Sequence, residues 1–151
     1  MTLIGIWVPK LIGLDKEMLT QIENAQNRTI PQILGHMVDS ASNNTHRMIH
    51  LQYQESPFAF PNYASHGNND RWIAIQNYKQ EEWINLVQLW KYVHLHFIHV
   101  SNQVDNSKLD QQWIAGDDEL ISLKQMGLDF LRHFKLHLAE IEDQFTIRVE
   151  G

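Results

Sequence analysis

The segment from Thr29 to about Gln54 constrains this chain more than any other. Thr29-Ile30-Pro31-Gln32 fits a capping box, with a proline where only the first turn of a helix tolerates one. Pro57 and Pro61 then stop the pattern. A helix of that length crosses a small domain from end to end, so the rest of the chain has to pack around it. Two stripes run along it. Ile30, Leu34, Met37, Ala41 and Met48 form an apolar one, and His36, Ser40, Asn43 and Arg47 form a polar one. At 100° per residue the two are roughly 120° apart. A polar stripe sustained over successive turns is either a solvated face or the lining of a cleft.

The remaining periodicity is also helical. The spacing predicts a helix from about Asp70 to Asn102, with Trp72, Trp83, Trp90 and Phe97 on one face beside Leu86, Val87 and Val93. Core packing is the plain explanation of that bulky face. A second capping box, Ser122-Leu123-Lys124-Gln125, opens a helix to about Glu142 with Leu123, Phe130, Phe134 and Ile141 inward. Asp15 caps a short first helix carrying Met18, Leu19 and Ile22. The stretch from Leu3 to Leu14 reads as irregular, residues 55–69 and 103–120 as loops, and Phe145 to Val149 as compatible with extended chain. The expectation is an all-α protein, one four-helix-bundle domain over residues 1–151 with an abbreviated first helix. Sites in such bundles are built from facing helices.

Composition narrows the chemistry. Nine histidines accompany no cysteine, so a transition metal would sit on imidazole and carboxylate, without thiolate or iron–sulfur chemistry. The net charge of −6, with no basic run, gives no footprint for a nucleic-acid partner. No apolar stretch is long enough to span a bilayer. The segment from Leu3 to Leu14 lacks the basic flank and cleavage site of a signal peptide. A soluble cytoplasmic protein, with no membrane partner, is the default expectation.

His46/His50 and His133/His137 have the i, i+4 spacing that places two imidazoles on one helix face. About 0.5 such pairs arise by chance in a chain this rich in histidine, so spacing alone selects neither. His133 and His137 border an apolar face, where an imidazole must find a partner. His46 and His50 sit among Asn44, Arg47 and Gln52 and read as solvated. His94 reads as a core histidine near the aromatic stripe, and His66 as exposed in a Gly/Asn loop. His36 is a third ligand if its stripe faces a cleft, and a surface histidine if it does not.

Three collinear motifs carry a family resemblance. Gly35-His36-Met37-Val38-Asp39-Ser40-Ala41-Ser42-Asn43-Asn44 with Arg47 resembles the second-helix signature of the DinB/YfiT-like superfamily of metal proteins. Arg71-Trp72, Gln76-Asn77-Tyr78, Trp83 and Leu89-Trp90 resemble its third helix. His133 to His137, closing on Ile141, resembles its last. The match covers about residues 30–142. Arg28-Thr29 stands where relatives usually carry Trp-Ser. The resemblance implies an up-up-down-down four-helix bundle, commonly a homodimer, holding one divalent metal through His36, His133 and His137.

Characterised relatives include transferases that use a low-molecular-weight thiol. The resemblance therefore implies first a metal-dependent S-transfer to a small electrophile. Hydrolysis by metal-activated water, or a non-catalytic metal-stabilised module, are the alternatives. Zinc is the first expectation and nickel the second. Asn43 and Arg47 would meet a small-molecule substrate, with Ser40 and Glu140 as catalytic candidates.

Overall fold

A computed structural model describes residues 2–21 and 23–149. Ile22, expected on the first helix, lies outside the described residues. Six α-helices and three short strands form in the order α1 (Leu3–Ile12), α2 (Lys16–Gln21), α3 (Ile30–Leu51), β1 (Phe58–Ala59), α4 (Asn68–Gln76), α5 (Trp83–Asn102), β2 (Gln112–Ile114), β3 (Leu120–Ser122) and α6 (Leu123–Val149). The four-helix bundle consists of α1, α3, α5 and α6.

Helix α3 begins as its sequence dictates. Gln32 N donates to Thr29 Oγ1 and Thr29 N donates to Gln32 Oε1, closing both halves of the capping box. At the start of α6 the backbone N–H of Gln125 donates to Ser122 Oγ at 3.1 Å. Asp15 caps α2 by accepting from Met18 N at 2.9 Å.

The first bundle helix, however, is not the one that follows Asp15. It is Leu3–Ile12, the segment expected to be irregular. Thr2 caps it, and Ile4, Trp7 and Leu11 bury one face. Pro9 is tolerated because it and Gly5, whose carbonyl loses the bond, both lie on the exposed outer side. Trp83 Nε1 ties this helix to α5 by donating to the Leu11 carbonyl at 2.7 Å.

The expected long third helix is two helices. Asn77 adopts the left-handed conformation (φ 48°, ψ 56°), which asparagine accepts more readily than most residues, and the chain restarts at Trp83. Trp72 therefore leaves the core stripe and stands half exposed on α4, edge-on to Tyr63. At the other end of the chain, the Phe145–Val149 stretch continues α6 as helix.

The core is continuous around α3. Ile30, Ile33, Leu34 and Met37 meet Leu86, Val87 and Trp90 of α5 and Phe134, Leu138 and Ile141 of α6. A second cluster joins Met48, Leu51, Phe97, Trp113, Leu123 and Met126 at the far end. These contacts fix the directions. Gly35 near the start of α3 lies against Tyr78 just before α5, while Met48 meets Ser101 and Gln52 meets Asp105 at the other end, so α3 and α5 run parallel. Trp90 stacks on Phe134 and Phe97 on Phe130, so α6 runs antiparallel to α5. The bundle forms as expected, but its directions differ from the up-up-down-down order. The cause is the crossover at residues 52–82, which leaves the Asp105 end of the bundle and returns the chain to the Gly35 end.

The strands, too short to announce themselves by alternation, form one sheet in the order β1-β2-β3. Phe58 pairs in parallel with Trp113, and Trp113 pairs antiparallel with Ile121.

His94 is the core histidine that its stripe predicts, 2% exposed among Trp90, Phe130 and Phe134. Its Nδ1–H donates to the Trp90 carbonyl at 2.7 Å. Burial holds its pKa down to about 4, against the partial opposition of that bond. A histidine depressed in the folded state leaves the unfolded chain binding the extra proton between pH 6.5 and 4, so folding stability falls as pH drops through that window. His94→Leu removes this slope. Urea unfolding at pH 7 and pH 4.5 is expected to show the wild type losing roughly 2–3 kcal/mol more than the variant. Parallel pH profiles for the two proteins would exclude the effect.

Candidate metal centre

The polar stripe of α3 faces a cavity of about 450 Å³ between α3, α6 and the 57–69 loop. His36, Ser40, Asn43 and Arg47 all line it, together with His133, His137 and Glu140 from α6. The stripe is a cleft lining, and the sequence periodicity located it.

At the floor of the cavity two imidazoles meet face to edge. His36 Nε2 and His137 Nε2 are 3.1 Å apart, though 101 residues separate them in sequence. The outer nitrogen of each ring is held. His36 Nδ1 lies 2.6 Å from Tyr63 Oη, and His137 Nδ1 lies 3.0 Å from Glu140 Oε2. A ring that donates Nδ1–H to an oxygen presents a bare lone pair at Nε2, which is how metal-binding histidines are oriented. Two ligands on a tetrahedral ion at 2.0–2.1 Å stand about 3.3 Å apart, close to the separation of this pair.

His133 lies one turn before His137 on α6, its ring inclined 26° to that of His137 with centroids 6.4 Å apart. It is exposed at the cavity wall, so the structure brings together two of the three sequence-predicted ligands and sets the third beside them. Among the described residues, no three His, Cys, Asp or Glu side chains already converge at metal-binding distance.

Electrostatics favour the neutral form of His36 and His133. Burial, reinforced by His137, Arg28 and His133, lowers the His36 pKa to about 3. Burial and His137 also lower that of His133. Neutral rings are the form that binds metal. Below the pair, Asp39 is buried, and its pKa is pushed up to about 6 by desolvation against hydrogen bonds that favour its charged form. Tyr78 Oη donates to its Oδ1 at 2.5 Å and Gln76 Nε2 donates to the same atom at 2.8 Å.

Glu140 thus sits against His137 and Asn43 donates to the Asp39 carbonyl at 2.9 Å. Ser40 is half buried at the cavity wall, its carbonyl accepting from Asn44 Nδ2 at 2.8 Å. Arg47 is buried at the far end, its guanidinium 3.5 Å from the centroid of the Trp113 ring. The remaining histidines stand apart: His46, His66, His96 and His99 are exposed, and His50 stacks on Phe58. Sequence reasoning missed Tyr63 and Trp113. Both lie in connections whose position in space only the tertiary fold determines. The local hints were weak: Trp113 is the one aromatic residue of its segment, whereas Tyr63 shares its segment with Phe58 and Phe60.

No family model matches the chain, and no curated protein matches it. Among solved structures it is similar to YfiT from Bacillus subtilis, described as a probable metal-dependent hydrolase with an unusual four-helix bundle topology. The match has a TM-score of 0.78 at 18% sequence identity and covers 93% of this chain and 79% of that one. At that level of identity the likeness establishes architecture, and this chain has the YfiT-like four-helix-bundle fold.

Proposed function

We propose that the protein is a metal-dependent hydrolase acting on a small molecule, with His36, His133 and His137 holding one divalent ion. The observation that carries this reading is the 3.1 Å approach of His36 Nε2 and His137 Nε2, each ring held at its other nitrogen by an oxygen. The description of YfiT as a probable metal-dependent hydrolase supports water over a thiol as the nucleophile. Zinc is the first candidate because three protein ligands leave its fourth position open, and nickel is the second.

A divalent ion at this place supplies Lewis acidity, polarising a carbonyl or phosphoryl oxygen and bringing the pKa of water toward neutrality. The chain's own residues do the rest. Tyr63 and Glu140 fix the two rings so that both Nε2 lone pairs face the cavity. Glu140 is the candidate proton acceptor beside the pair, and Ser40 offers a hydroxyl to a substrate oxygen. Asn43 and Arg47 line the path away from the ion.

The test is purified protein with its metal content quantified, assayed on a panel of small esters, amides and phosphate esters with and without bacillithiol, glutathione or cysteine. Metal-dependent hydrolysis that needs no thiol is the expected result. Turnover only when a thiol is added would replace hydrolysis by S-transfer, and the sulfur would have to arrive with that cosubstrate because the chain has no cysteine. A full metal site without turnover on any substrate would favour a metal-stabilised module.

A further inference from the structure

Two arginines line the cavity, and they differ in one respect. Arg28 Nη2 pairs with Asp70 Oδ1 at 2.8 Å. Arg47 is 6% exposed and, among the described residues, forms no ion pair. Its Nε donates to Met126 Sδ at 3.0 Å, its Nη2 to Asn44 Oδ1 at 2.6 Å, and its Nη1 to no group among the described residues. One face of the guanidinium is covered by Trp113. A buried charge without a counter-charge is strongly unfavourable, and its cost is relieved when an anion arrives. Burial lowers the Arg47 pKa to about 10, which leaves it cationic at neutral pH, and no neighbouring acid opposes that shift.

The placement is as informative as the charge. Arg47 follows His36 by eleven residues on the same helix, about 16 Å of axial rise. Beyond it the cavity wall carries an apolar patch of Trp113, Ile121, Met126 and Phe130, with Asp129 at its edge.

We infer that Arg47 is the seat of an oxyanion, so that the ligand of this cavity is a small molecule with a carboxylate or phosphate at one end, an apolar body, and its reacting group at the other. The identity of the reacting end rests on the hydrolase reading; the anion seat does not. The free Nη1 edge reaches the oxyanion while Trp113 covers the guanidinium face, an arrangement suited to arginine's planar fork and not to a lysine.

Calorimetric titration of chelator-treated full-length protein, at fixed ionic strength, with hexanoate, n-hexyl phosphate and hexanamide tests this without any metal. At least one of the two oxyanions is expected to bind at least about tenfold tighter than the amide. Whichever is preferred identifies the ligand as a carboxylate or a phosphate. In Arg47→Gln the preference over the amide is expected to vanish. Equal binding of all three by the wild type, or a preference that survives in Arg47→Gln, would overturn the inference. Should Arg47→Gln fail to fold, Arg47→Lys serves: it keeps the charge and is expected to weaken oxyanion binding several-fold, and unchanged affinity would be equally fatal. Metal content is read separately, so loss of the metal reading leaves this result interpretable.

Discussion

His137→Ala is expected to lose divalent metal while keeping its fold. Removing a group that merely orients a metal ligand typically costs about 10–100-fold in affinity, and removing a ligand costs more, so a weakening beyond about 100-fold is expected in a competition titration with a chromophoric chelator. Hydrolytic activity should fall with it. The fold should survive because His137 lines the existing cavity and belongs to neither core cluster. Truncation therefore opens no deep cavity, and thermal unfolding of the chelator-treated proteins should coincide within a few degrees. His36→Ala should match it, Tyr63→Phe should fall in the 10–100-fold range, and His46→Ala should bind metal normally. Undiminished metal binding by His137→Ala would dispose of the site.

Gly35→Ala is expected to destabilise the protein, against the usual sign. Inside a helix, alanine is normally better than glycine by roughly 0.5–1 kcal/mol. At position 35 the added Cβ would stand 2.1 Å from Cδ2 of Tyr78. That ring cannot retreat, because it is buried and its hydroxyl is engaged by Asp39. Overpacking of this kind costs about 1–3 kcal/mol, enough to outweigh the propensity gain. Gly127 on α6 supplies the contrast: nothing lies within 4 Å of a Cβ there, so Gly127→Ala should stabilise by up to about 1 kcal/mol. Chemical denaturation of both variants should give opposite shifts of the midpoint. Equal shifts of the same sign would show that the close approach at Gly35 does not govern stability.

What could be read from the sequence follows from the range of the forces involved. The start of α3 was legible because a cap and an early proline act within one turn. The cavity-lining stripe was legible because helical period is local too. The helix at Leu3–Ile12 was missed because Pro9 outweighed the spacing of Ile4, Trp7 and Leu11, whose burial depends on partners far along the chain. The break at Asn77 was missed because a single left-handed residue leaves the flanking periodicity intact. The strands pair across distant segments and are too short for alternation to show. In the site, His36 and His137 were reachable through motif and stripe, whereas Tyr63 was not, since its place beside His36 is set by how the crossover lies on the bundle.

That crossover has an evolutionary consequence. Making α3 and α5 parallel obliges residues 52–82 to travel the length of the bundle, and on the way they lay Asn62, Tyr63 and Asn69 along one wall of the cavity. Two walls are thus packed helices, slow to change, and the third is a connection of the kind that tolerates substitution, insertion and deletion. Descendants of such a scaffold can acquire new substrates by rewriting the connection alone while the imidazole faces of α3 and α6 persist. Tyr63 marks the limit of that freedom, because the segment that diversifies must still deliver one hydroxyl to His36.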